Sequence, residues 1–147
     1  MATGRLTEKD IRMFLMDKPE LNSLLRGVRW SPEEIESALT YCVGYFNESS
    51  PSTGNSYTIE SFPFQFAWLT GTAGHLLRSA SINEVSNNIS YQLDGVQVND
   101  KDKGELFARM GQQYWDEFKL MAANIKMQQN VAAAYSGISS EFGQLAR

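Results

Sequence analysis

The sequence predicts a mainly α protein: a helical bundle with one long C-terminal helix, a single β-hairpin at about 89–98 and an extended C-terminal tail. Three observations predict it. Apolar residues recur at spacings of three and four over long stretches. Capping signals precede those stretches. One segment, NISYQLDGVQVN from Asn88 to Asn99, departs to a period of two around an Asp-Gly pair. At 147 residues the chain suits one domain with a single core. It divides into a helical domain over 1–135, with the hairpin inserted, and a tail over 136–147 suited to docking on a partner.

The first helix opens at Thr7, which can cap with Asp10 three residues on, while Leu6 and Ile11 are spaced as a hydrophobic staple. Pro19 disfavours helical geometry at Lys18 and keeps this helix short. A second apolar segment, Leu21, Leu24 and Leu25, closes at Gly27. The clearest start follows, with Ser31 at the cap, Pro32 at the first helical position, Glu34 completing a capping box, and Trp30 and Ile35 stapled across it. Ile35, Ala38, Leu39, Cys42, Val43 and Phe46 then share one face. This helix ends near Asn47, and Glu48 to Ser56 is a polar loop broken by Pro51 and Gly54.

Pro63 to Trp68 leads into a further helix running to about Ala80, in which Gly71, Ala73 and Gly74 sit where a neighbouring helix can approach closely. The long helix spans Lys101 to about Asn130. Phe107, Met110, Tyr114, Phe118, Met121 and Ile125 form its stripe, widened by Leu106, Trp115 and Ala122. Some 30 residues make a rod of roughly 45 Å, more than a compact domain of this size needs, so it forms the spine or reaches a neighbouring subunit. The tail from Ser136 to Arg147 holds Gly137 and Gly143 yet keeps Ile138, Phe142 and Leu145, the composition of a segment that docks.

Asp94-Gly95 is the pair preferred in a two-residue type I′ turn. That turn sets Leu93 against Val96, Gln92 against Gln97 and Tyr91 against Val98. Leu93, Val96, Tyr91 and Val98 then share an apolar face, with Ile89 just beyond. An isolated two-stranded hairpin is marginal in water, so this face lies either on the helices of its own chain or on another molecule.

Composition narrows the function. A hydrophobic content of 42% and an aromatic content of 12% suit a folded protein. The net charge of −4, a pI of about 5.0 and the lack of any Lys/Arg cluster argue against a surface built to neutralise phosphates. A single cysteine excludes an intrachain disulfide. The polar start of the chain and the absence of an apolar run of about 20 residues point to a soluble protein made in the cytosol. Cys42 falls on an apolar helical position, and His75, the only histidine, has no Cys or His to share a metal. The stretch TGTAGH lacks the spacing and the lysine of a phosphate loop. Glu33 with Glu34, and Asp100 with Asp102, are acids favoured at helix starts. No catalytic residue, cofactor or metal site is expected, and the chain reads as a non-enzyme.

The order of elements and several short motifs carry a resemblance. Asp17-Lys18-Pro19-Glu20-Leu21-Asn22 follows the first helix, and the capped helix ends in Tyr45-Phe46-Asn47 ahead of a polar, proline-containing loop. A hairpin follows the second amphipathic helix, with Asn87, Tyr91, Asp94 and Gly95 as its markers. A long helix containing Lys126 then leads to a Gly-x-Ser-Ser-x-Phe tail from Gly137 to Phe142. This resembles the head-to-tail connector proteins (neck adaptors or head-completion proteins) of tailed bacteriophages. The resemblance implies a structural virion protein that assembles as a ring, commonly of about twelve closed by rotational symmetry. Such a ring joins the portal protein to the next neck or tail component and lines the channel through which genomic DNA passes without specific binding. It implies a place in the virion neck, no membrane, and contact roles for Tyr91, Leu93, Asp94, Gly95, Val96, Val98, Ile138, Phe142 and Leu145. Two other readings are a packaging factor of the small-terminase type and a helical protein–protein interaction module. The packaging factor needs basic residues on a recognition helix, and the 31–46 segment has Glu33, Glu34 and Glu36 with no Lys or Arg.

Overall fold

The computed structural model describes the backbone of residues 4–22, 27–91 and 101–145, and the side chains of 4–22, 27–86 and 103–135 among them. Four helices make up the described regular structure: α1 (Glu8–Leu15), α2 (Pro32–Glu48), α3 (Gln65–Tyr91) and α4 (Lys101–Leu145). The mainly helical class is as the sequence predicts.

Local signals start the first two helices as read. The Thr7 side chain accepts from the Asp10 amide and the Asp10 carboxylate accepts from the Thr7 amide, closing a capping box on α1. The Thr7 hydroxyl, which donates to the same carboxylate at 2.6 Å, and then the Thr7 amide hold the Asp10 carboxyl below its ordinary pKa. Met16 stops α1 in a left-handed conformation, φ 55°, its amide donating to the Arg12 and Met13 carbonyls. Ser31 and Glu34 form the second capping box. The buried residues of α2 are Ile35, Ala38, Leu39, Cys42, Val43 and Phe46, the face that its periodicity predicts.

α3 is the central helix. From Ala67 to Leu77 nearly every residue is buried, because α1, α2 and α4 all pack against it. Its polar groups are satisfied on the spot. Trp68 Nε1 donates to the Leu39 carbonyl at 3.0 Å, Thr70 Oγ1 to the Phe66 carbonyl at 2.9 Å, and Thr72 Oγ1 to Cys42 Sγ at 3.7 Å.

α3 and α4 form an antiparallel pair at very short range. A Cβ on Gly74 would lie 2.8 Å from the Trp115 amide nitrogen, and one on Gly111 would lie 2.9 Å from the Arg78 amide nitrogen. Both crossing points therefore admit only glycine without the helices parting. Gly71 gives the Phe118 ring the same access. Above this crossing Tyr45, Trp115, Phe118 and Tyr41 stack in a ladder with centroids 5.0 to 5.7 Å apart.

Two expectations are corrected. α3 continues past Ala80 to Tyr91, so Ile89 to Tyr91 are helical where the sequence predicts the first strand of the hairpin. The α4 partner supplies the reason: it runs beside the extension, with Gly104 against Val85. The remaining hairpin positions, including Leu93, Asp94, Gly95, Val96 and Val98, lie outside the described residues. The 136–145 segment, expected as an extended tail, continues α4 through Leu145. A helix already propagating gains one bond for each residue it adds, which offsets the cost of about 1 kcal/mol at Gly137 and again at Gly143.

Candidate interaction surfaces

Two buried polar anchors fix the framework that presents the surface. Asp17, in the segment after α1, is buried and accepts from four partners: Arg12 Nη1 at 2.7 Å, Asn22 Nδ2 at 2.8 Å, and the amides of Arg29 at 2.7 Å and Trp30 at 3.3 Å. Asn22 also donates to the Gly27 carbonyl at 3.1 Å. In the run Asp17 to Asn22 the first and last residues thus tie α1 to the entry of α2. Their motif is a folding device before it is anything else.

The second anchor is Lys126. Its side chain is buried, with Nζ donating to the Ser49 carbonyl at 2.5 Å and to Ser49 Oγ at 3.2 Å, 4.9 Å from the Phe46 ring centroid. Burial pushes its ammonium below the ordinary lysine value. The cation sits where α2 ends, so it also complements the negative end of that helix. Gln129 Nε2 donates to Tyr57 Oη at 2.9 Å and Asn130 Nδ2 to the Ser52 carbonyl at 3.1 Å. Asn47 and Tyr57 exchange bonds of 2.8 and 2.9 Å across the base of the loop. One turn of α4 therefore clamps the polar loop that follows α2.

Beyond that clamp the surroundings of α4 change. Residues 131–135 are all exposed. The face opposite the core stripe is polar from Arg109 to Glu117, with Gln112, Gln113 and Asp116 between. From Leu120 onward it turns apolar: Leu120 is 64% exposed, Met127 58%, Val131 53% and Tyr135 66%. Leu120 lies two residues from buried Phe118, about 200° around the helix, so α4 carries two opposed apolar faces. Beside the outer face lies an open cleft of about 400 Å³ lined by Phe64, Phe66, Ala67, Met121 and Ile125, with Gln65, Asn124 and Gln128 as its polar members. Phe66 is 71% exposed. Ridge and cleft adjoin through Asn124, and none of their named members carries a charge.

The residues expected to make contacts are distributed unevenly. Tyr91 stands at the end of α3, and Ile138, Phe142 and Leu145 stand on the last turns of α4. Their positions follow Val131 by 7, 11 and 14 residues, in register with the outer face. Sequence reading missed Phe66, Leu120, Met127, Val131 and Tyr135 as exposed apolar residues. The signal was present: Leu120, Met127, Val131 and Ile138 are spaced by seven, four and seven, a second helical stripe beside the one assigned to the core.

The groups singled out for chemistry have structural surroundings. Cys42 is fully buried and its thiol is pushed up to about 12, chiefly by burial, which makes the thiolate inaccessible at neutral pH. His75 is half-buried and stacked on Tyr41 at 4.7 Å; burial first, and the Arg78 charge second, lower its pKa. No group of three or more His, Cys, Asp or Glu side chains among the described residues is placed to hold a metal ion. No described helix is long and apolar enough to cross a membrane. No family model, curated protein or solved structure matches the chain.

Proposed function

We propose that this chain is a structural virion protein of a tailed phage, a ring-forming adaptor between the portal and the next neck or tail component. The observation that carries the reading is the outer face of α4, an apolar ridge from Leu120 to Tyr135 on a helix that runs past its own core. A subunit that works by assembly needs a stiff element of this kind, clamped at its root and uncharged where it projects. Lys126, Gln129 and Asn130 supply the clamp. The motifs Asp17 to Asn22 and Tyr45 to Asn47, followed by a long helix that contains Lys126, support the same assignment, without the hairpin strand and extended tail that the resemblance also implies. Assembly would proceed by burial of apolar surface between identical neighbours and between stacked rings, with closed rotation fixing the copy number. The net charge of −4 suits a channel wall past which DNA slides without being gripped.

Electron cryomicroscopy of native particles of the virus carrying this chain tests the reading. The expected result is a ring at the neck whose subunit density accommodates the antiparallel α3–α4 pair. A neck without such a subunit contradicts it. Salt-sensitive DNA binding by the purified chain at low micromolar concentration would favour a packaging factor instead.

A further inference from the structure

We draw no further inference here: the strongest candidate, the cavity of about 350 Å³ among Phe14, Trp30, Leu77, Phe107 and Tyr114, carries nothing, because its polar members Asp17, Asn22 and Arg29 are paired within the chain and nothing in the structure shows what occupies it.

Discussion

Residues Gly111 to Ala122 and residues Met127 to Tyr135 belong to one helix and have opposite surroundings. In the first stretch α4 meets α3 so closely that Gly111 and Gly74 leave no room for a Cβ, and Trp115, Phe118 and Ala122 are buried. In the second, Met127, Val131 and Tyr135 are each more than half exposed. Both stretches carry apolar residues at helical spacing, so hydrophobicity does not separate them. What separates them is which face the rest of the chain covers. The first stretch holds the fold together. In the second Gln129 and Asn130 still clamp the loop, while the apolar side chains of Met127, Val131 and Tyr135 stand in water. On the proposed reading they are the surface offered to another molecule.

That contrast can be broken in measurable steps. The largest effect is expected at Asp17→Ala, which takes the buried acceptor from the Arg29 and Trp30 amides. It also takes one partner each from Arg12, which keeps Glu8 and the Trp30 carbonyl, and Asn22, which keeps the Gly27 carbonyl. Urea unfolding should show a loss of about 3–5 kcal/mol. Gly111→Val comes next, because its Cβ would press on the Arg78 amide nitrogen and the Gly74 carbonyl oxygen and force the helices apart. A loss of about 2–3 kcal/mol in the same measurement is expected. If Gly111→Val left stability unchanged, the distinction between a tight and a free stretch would fail.

A smaller effect concerns pH. The folded pKa of His75 is lowered, so the unfolded chain takes up a proton that the folded chain resists. This contribution to stability is complete above the unfolded value, near 6.5, and is lost as pH falls from there toward the folded value. Melting curves between pH 7.5 and pH 5 should decline more steeply for the parent than for His75→Gln. The smallest effect on stability is expected at the ridge itself. Val131→Ser combined with Tyr135→Ser should change unfolding by no more than about 0.5 kcal/mol while weakening self-association.

The sequence made some of this architecture legible and hid the rest for physical reasons. Ser31, Pro32 and Glu34 act within one turn, so the start of α2 needs no distant partner and its buried face could be read directly. The Gly71–Gly74 stretch could be read as a close approach because small residues in a helix have few other uses. The end of α3 could not be read. Ile89 and Tyr91 alternate as a strand would, but α3 continues beside α4, with Val85 against Gly104. Propensity yields to tertiary pairing there. Gly137 and Gly143 lie in the segment expected as an extended tail, yet without proline they only tax a helix. The candidate surface was half legible. Ile138, Phe142 and Leu145 were singled out as contacts, whereas Leu120, Met127 and Val131 hid beside a stronger stripe that faces the core. The buried roles of Asp17 and Lys126 depend on partners far along the chain and left no local pattern.

Hydrogen–deuterium exchange of the purified chain at two concentrations tests the central claim most directly. One dilution keeps it monomeric and the other drives association. Amides of Gly111 to Ala122 should be protected equally in both, and amides of Val131 to Tyr135, beyond the clamp, should gain protection only in the associated sample. Equal protection of the two stretches at high dilution, or a ridge that stays unprotected when the chain has associated, would contradict the account.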